Sequence, residues 1–312
     1  MAMEMESKYI WMDGKLVEFE KATVHFLTPA LHYGMGAFEG IRCYNTPKGP
    51  AVFRLREHLE RLLDSVHIFG VREFPYTIDQ LRAAVHETIR ANEYNQCYIR
   101  PLVYMSGPLG LNLDASKPSV GIAVWKWDAY LGEDALEQGV RAMVSSFTRH
   151  HPNATMTKAK ISGNYPNSAM AKTLALRAGF EEAIMLDPSG LLAECSGENL
   201  FVVRSGKLYT SQSATILEGI TRDSVITLAH DLGYEVIEQP ISRDQLYIAD
   251  EVFLTGTAAE CVAVREIDFR TIGSGKMGPV TRAIQKSFFE TARGTGKRSA
   301  EWLDYVKEKA KA

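Results

Sequence analysis

The sequence predicts an α+β chain built as two domains. Three observations carry this reading. Strand-like runs come in clusters with helices inserted between them, not in regular strand–helix alternation. Two amphipathic stretches have helical spacing with clear start and stop signals. Between residues 129 and 139 the periodicity lapses into glycine and acidic residues, which reads as a linker joining an N-terminal α/β domain at 1–128 to a C-terminal α/β domain at 140–312. Each half is long enough to bury a core of its own.

The elements follow in order. Phe53 to Ile68 sets Leu55, Leu59, Leu62, Leu63 and Val66 on one stripe, with Gly70 as the stop. Thr77-Ile78-Asp79-Gln80 has the form of a capping box and opens a helix through Leu81, Val85 and Ile89. Strand-like runs cover Cys97 to Met105 and Ser119 to Trp127. Beyond the linker come a strand at Val140 to Ser146 and a helix from Pro166 to Arg177 that ends at Gly179. Glu182 to Phe201 reads as a hairpin turned by Asp187-Pro188-Ser189-Gly190, with a further turn at Arg204-Ser205-Gly206-Lys207. A helix from Thr221 to Leu232 stops at Gly233, and a strand from Glu251 to Thr255 turns through Gly256 into Cys261 to Val264. The charged tail, Glu290 to Ala312, reads as partly mobile.

Composition narrows the function. With 46% hydrophobic and 23% charged residues the chain is of the soluble globular kind. A net charge of −3 without long runs gives no footprint for nucleic acid or an anionic membrane, so the expected partner is a small molecule. Cys43, Cys97, Cys195 and Cys261 are scattered and form no C-x-x-C pair, which points to free buried thiols in a reducing compartment. Glu4 and Glu6 stand where a signal peptide would be basic, and no apolar run approaches the ~20 residues that span a bilayer. A cytoplasmic location is expected.

Two glycine motifs are set aside on context. Gly273-Ser274-Gly275-Lys276-Met277-Gly278 fits G-x-G-x-x-G, but Pro279 follows at once and too little chain remains for a dinucleotide-binding sheet. Gly294-Thr295-Gly296-Lys297 lacks the first glycine and the closing Ser or Thr of a phosphate loop. His150-His151 has no helical metal-pair spacing, and there is no G-x-S-x-G elbow. No metal is expected.

Lys160, in Ala159-Lys160-Ile161-Ser162-Gly163-Asn164-Tyr165, is a lone cation entering small and apolar residues. A desolvated amine of this kind condenses with aldehydes; the plain alternative is a strand lysine with its head in water. Four further segments keep it company: Phe38-Glu39-Gly40-Ile41-Arg42, Glu194-Cys195-Ser196-Gly197-Glu198-Asn199-Leu200-Phe201, Leu217-Glu218-Gly219-Ile220-Thr221-Arg222 and Gly256-Thr257-Ala258-Ala259-Glu260. In order and spacing, from about Tyr9 to Tyr305, the five resemble the fold-type IV pyridoxal-phosphate enzymes, specifically the branched-chain amino acid aminotransferases.

That resemblance implies a two-domain α+β fold with pyridoxal 5'-phosphate between the domains and its lysine, Lys160, on the C-terminal one. It assigns Glu194 to the ring nitrogen, with Glu198 as the rival acid, and Tyr165 to the cofactor's phenolic oxygen. Leu217, Gly219, Ile220, Thr221, Gly256 and Thr257 would form the phosphate side, where a helix start offers free amides. Arg61 would join them, although it lies off the apolar stripe of its helix, where a solvated face is the default. Phe38, Gly40, Tyr33, Trp127, Tyr130 and Tyr165 would shape an apolar substrate pocket, with Leu109 supplied by a partner subunit. Tyr98 and the amides of Thr257 and Ala258 would hold the α-carboxylate, and Arg100 the distal carboxylate of glutamate.

The implied reaction moves an amino group reversibly between L-Leu, L-Ile or L-Val and 2-oxoglutarate in two half-reactions. The partners are then amino acids and 2-oxo acids, in a homodimer or homohexamer. D-Amino acid aminotransferases and aminodeoxychorismate lyases share the fold and cofactor residues, and a non-enzymatic binding module is the alternative from another class.

Overall fold

A computed structural model describes residues 7–127, 131, 134–212 and 214–306. The chain forms two compact units. Unit 1 holds the described residues within Met1–Trp127, Ala159–Gly163 and Thr291–Ala312; unit 2 holds those within Asp128–Lys158 and Asn164–Glu290.

Unit 1 opens with the hairpin β1 (Tyr9–Met12) and β2 (Lys15–Glu18), followed by α1 (Pro29–Tyr33), β3 (Gly36–Phe38), β4 (Ile41–Thr46) and β5 (Gly49–Phe53). Two helices come next. α2 (Leu55–Phe69) buries Leu55, Leu59, Leu62 and Val66, as its periodicity requires, and Gly70 ends it with a left-handed φ of 101°. α3 (Ile78–Ala91) starts at the predicted capping box: Thr77 Oγ1 accepts from Gln80 N, and the Gln80 side chain accepts from Thr77 N. The strands β6 (Cys97–Ser106) and β7 (Lys117–Trp125) complete this stretch.

In unit 2 a single turn, α4 (Ala135–Gln138), precedes β8 (Val140–Val144) and α5 (Tyr165–Arg177). Then come β9 (Glu182–Leu186), β10 (Leu192–Cys195), β11 (Asn199–Arg204), β12 (Lys207–Thr210), α6 (Ile220–Asp231), β13 (Val236–Glu238), α7 (Arg243–Tyr247), β14 (Glu251–Gly256), β15 (Glu260–Ile267), β16 (Arg270–Thr271) and α8 (Pro279–Ala292). The chain ends with α9 (Ser299–Trp302) and β17 (Leu303–Tyr305).

Unit 1 carries an eight-stranded sheet in the order β17-β5-β4-β6-β7-β1-β2, with β3 paired to β6. All its pairs are antiparallel. Leu59, Leu62, Leu81 and Val85 from the two helices pack against Ile41, Ile99 and Ile122 of the sheet, each such burial contributing about 1.5–3 kcal/mol. Unit 2 carries a nine-stranded sheet, β10-β9-β8-β15-β14-β11-β12-β13 with β16 on β15. It is mixed: β8 runs parallel to β9 and β15, and β13 parallel to β12. Helices and strands segregated in this way make the fold α+β, as predicted.

Two expectations meet a different arrangement. Where one cut at 129–139 was expected, with Lys160 on the C-terminal half, the chain returns to unit 1 for Ala159–Gly163. Phe38 N donates to Lys160 O, Ala37 bridges Ile161, and Gly163 N donates to Gly34 O. The tail expected to be mobile is built into unit 1 as far as residue 306: β17 pairs with β5, and Arg82 Nη2 reaches Asp304 at 2.8 Å. The four cysteines are free and buried, as expected, and Cys43 and Cys97 are register partners on β4 and β6.

The glycine run Gly273–Gly278 leads into α8. The first amides of α8 are already filled by a carboxylate of the protein: Val280 N and Thr281 N donate to Glu251 at 3.0 and 2.8 Å. No helix among the described residues is long and apolar enough to cross a membrane, and no cluster of His, Cys, Asp and Glu able to hold a metal occurs among them.

Candidate active site

In unit 1 the half-buried Lys160 is held by its backbone. Its N–H donates to Ser65 Oγ at 2.9 Å, its carbonyl accepts from Phe38, and its ammonium lies 5.1 Å from the centre of the Phe38 ring. The close approach of the loop to α1 requires glycine at position 34. A Cβ on Gly34, whose φ is 65°, would press on the Gly163 backbone.

Arg61 does not lie on a solvated face. Its side chain is 14% exposed and grips the fully buried Glu39 with two parallel bonds, Nε to Oε1 at 2.7 Å and Nη2 to Oε2 at 2.9 Å. His58 Nδ1 adds a third contact to Glu39 Oε2 at 2.8 Å. Burial alone would push Glu39 up, but Arg61 and His58 hold it well below the usual carboxylate range. His58 is itself pushed down by burial, against the pull of Glu39. His58, Arg61 and Ser65 share one face of α2 through their spacing of three and four residues.

The predicted substrate residues of unit 1 divide. Tyr98 packs against both Trp125 and Trp127, with ring centres 5.0 and 4.3 Å away. Arg100 lies over Phe38 at 4.6 Å and donates to Tyr98 Oη at 3.2 Å, while its buried Nε finds no hydrogen-bond partner among the described residues. Gly40 is where it is because a Cβ would overlap the Tyr98 hydroxyl. Phe38, Gly40, Tyr98, Arg100 and Trp127 are thus brought together. Tyr33 and Leu109 are exposed; Tyr130 lies outside the described residues.

In unit 2 Glu194 is buried on β10, and its cost is met in full. Oε1 pairs with Arg149 at 2.6 Å, and Oε2 accepts from Leu217 N at 3.0 Å and Asn199 Nδ2 at 3.2 Å. Asn199 also donates to Leu217 O at 2.9 Å, so one amide fixes both the acid and the loop before α6. Glu198, the rival, is buried with no ion pair of its own among the described residues. Burial and the neighbouring Glu182 raise it to about 8, while Lys172, bonded to Glu182, pulls the other way.

The start of α6 is shaped for an anion. Gly219 occupies its N-cap and provides no side-chain cap, leaving first-turn donors and the positive dipole end available. Ile220 and Thr221 are buried there, and a Cβ on Gly219 would overlap Asn199 Oδ1. Gly256, Thr257 and Ala258 lie at the β14–β15 turn. Tyr165, half-buried, opens α5.

Sequence reasoning did not single out Arg149, Asn199, Glu39, His58 or Ser65. Asn199 and Glu39 stand inside the quoted motifs, and the α2 trio was open to helical spacing. Nothing local marks Arg149, whose partner is brought to it by tertiary packing.

Comparison with known proteins gives the family. The amino-transferase class IV model matches residues 36–267. The Pseudomonas aeruginosa branched-chain-amino-acid aminotransferase is 48% identical over 98% of this chain and 100% of its own. The Escherichia coli branched-chain amino acid aminotransferase structure superposes with a TM-score of 0.94 at 46% identity, covering 97% of this chain and 100% of that one. The branched-chain amino acid aminotransferase from Thermobaculum terrenum, in its PLP-bound holo-form, gives 0.91 at 33% identity, covering 98% of this chain and 100% of that one. A family model that spans most of the chain and relatives nearly half identical over its full length show that the chain belongs to the class IV amino-transferases.

Proposed function

We infer that this chain is a branched-chain amino acid aminotransferase. It passes the amino group reversibly between L-Leu, L-Ile or L-Val and 2-oxoglutarate by a two-stage exchange that uses pyridoxal 5'-phosphate. The observation that carries the reading is full-length identity of 47–48% to enzymes of that name.

The residues present fit the cofactor. The uncapped start of α6, with Ile220 and Thr221, suits a phosphate, with Arg61, Leu217, Gly219, Gly256 and Thr257 assigned to the same group. Glu194, held in place by Arg149, Asn199 and Leu217 N, presents a fixed acceptor for a protonated ring nitrogen. Glu198, raised to about 8, is protonated at neutral pH and is the weaker choice. When bound, the cofactor supplies an aldehyde carbon for the amino group and a cationic ring that withdraws electrons from it.

The chain does the rest. Lys160 Nζ would hold the cofactor through its aldehyde carbon, and the amine, once free, would take the substrate's α-proton and return it as general base and acid. Tyr165 steadies the phenolic oxygen. Phe38, Tyr33, Trp127 and Tyr130 make an apolar wall for branched side chains. Tyr98 with the Thr257 and Ala258 amides takes the α-carboxylate. Arg100, whose buried Nε has a donor to spare, is assigned the distal carboxylate of the second substrate. A homodimer or homohexamer in the cytoplasm is the proposed setting, and the exposure of Leu109 suits its assignment to a neighbouring subunit.

Lys160→Ala tests this directly. Turnover is expected to vanish while pyridoxal phosphate still binds without a covalent link; wild-type rates would sink the assignment.

A further inference from the structure

Glu39 is fully buried, with 0% exposure, and takes no part in the chemistry proposed above. A carboxylate at that depth is kept only if every partner is in place. Its side-chain partners His58 and Arg61 lie on one face of α2, and Gly40 N adds a further bond at 3.2 Å.

We propose that Glu39 is the positioning residue for Arg61, fixing the plane of the guanidinium so that the cofactor's phosphate meets a preoriented cation. The inference rests on the reading that Arg61 engages that phosphate.

Three observations support it. The Arg61 fork is bidentate at 2.7 and 2.9 Å, a geometry that locks the guanidinium plane. His58 sits 2.8 Å from the same carboxylate and, held neutral by burial, orients it without competing as a cation. Ser65, four residues after Arg61, donates to Arg61 O at 2.8 Å and accepts from Lys160 N at 2.9 Å. Phe38, next to Glu39, donates to Lys160 O. The acid therefore stands at the joint between the helix of the phosphate arginine and the loop of the lysine.

A double-mutant cycle on apoprotein tests the proposal. The Kd for pyridoxal phosphate is read from quenching of tryptophan fluorescence in wild type, Glu39→Gln, Arg61→Ala and the double variant, with thermal melts alongside. Glu39→Gln is expected to raise Kd about tenfold, the double variant to bind no worse than Arg61→Ala, and Glu39→Asp, which keeps the charge, to recover part of the loss. A wild-type Kd in Glu39→Gln, or full additivity in the double variant, would overturn the inference. If Glu39→Gln yields no folded protein, Glu39→Asp carries the test, and a Kd equal to wild type overturns it. Wild-type protein that fails to bind the cofactor would instead remove the functional reading, and Arg61→Ala with unchanged Kd would remove the role on which Glu39 depends.

Discussion

Glu194 and Glu198 lie four residues apart and were rivals for one role; their surroundings separate them. Glu194 has Arg149 at 2.6 Å and two N–H donors. Glu198 faces Glu182, with Cys195 and Glu194 on the adjoining strand and Lys172 from α5 bonded to Glu182. Its acid form is favoured in the fold, raised from 4.5 to about 8. The sign follows: between those values the folded protein binds more protons than the unfolded chain, so stability falls as pH rises from 4.5 toward 8. Glu198→Gln, which mimics the protonated acid, is expected to flatten that part of the stability–pH curve, as chemical denaturation at stepped pH would show; an unchanged slope would contradict the assignment. Arg149→Leu strands a buried carboxylate and is expected to cost about 3–5 kcal/mol in the same assay, with loss of bound cofactor. From the sequence, Glu194 was legible because an acid in an apolar strand demands a partner. Arg149 was not, because the partner is chosen by packing.

At the scale of elements, α2 is both a core helix and a scaffold. Its apolar stripe was legible from spacing, and so was the capping box of α3. The polar face was misread as solvated because a helical wheel shows what lies off the stripe but not what packs there. Glu39, arriving from the loop between β3 and β4, turns that face inward. Glycines set the tolerances around it. Gly40→Ala would push the Tyr98 hydroxyl aside; KM for leucine is expected to rise about tenfold with cofactor content unchanged, and loss of cofactor instead would count against the substrate role of Tyr98. Gly219→Ala would displace Asn199, loosening Glu194 and the start of α6 together, so cofactor Kd is expected to rise by about tenfold in a fluorescence titration.

For the molecule as a whole, the α+β class and the five motifs were readable because each rests on local pattern. The division into units was not, since it depends on which segments the chain revisits. Ala159–Gly163 joins unit 1 through backbone pairing with Phe38, Ala37 and Gly34, and the tail joins it through β17. Charge made the tail look mobile, yet Leu303 is buried, and although burial pushes Asp304 up, its contact with His86 and its bonds to Arg82 hold it at about 2. Deleting the chain from Leu303 onward is expected to lower unfolding free energy by about 2–4 kcal/mol, measured by urea denaturation. The central claim concerns chemistry, and the visible absorption spectrum of the purified protein tests it most directly. The account predicts a cofactor band that moves to the pyridoxamine form on adding L-leucine and returns with 2-oxoglutarate. A band that ignores L-leucine and answers a D-amino acid, or no band after soaking with pyridoxal phosphate, would contradict it.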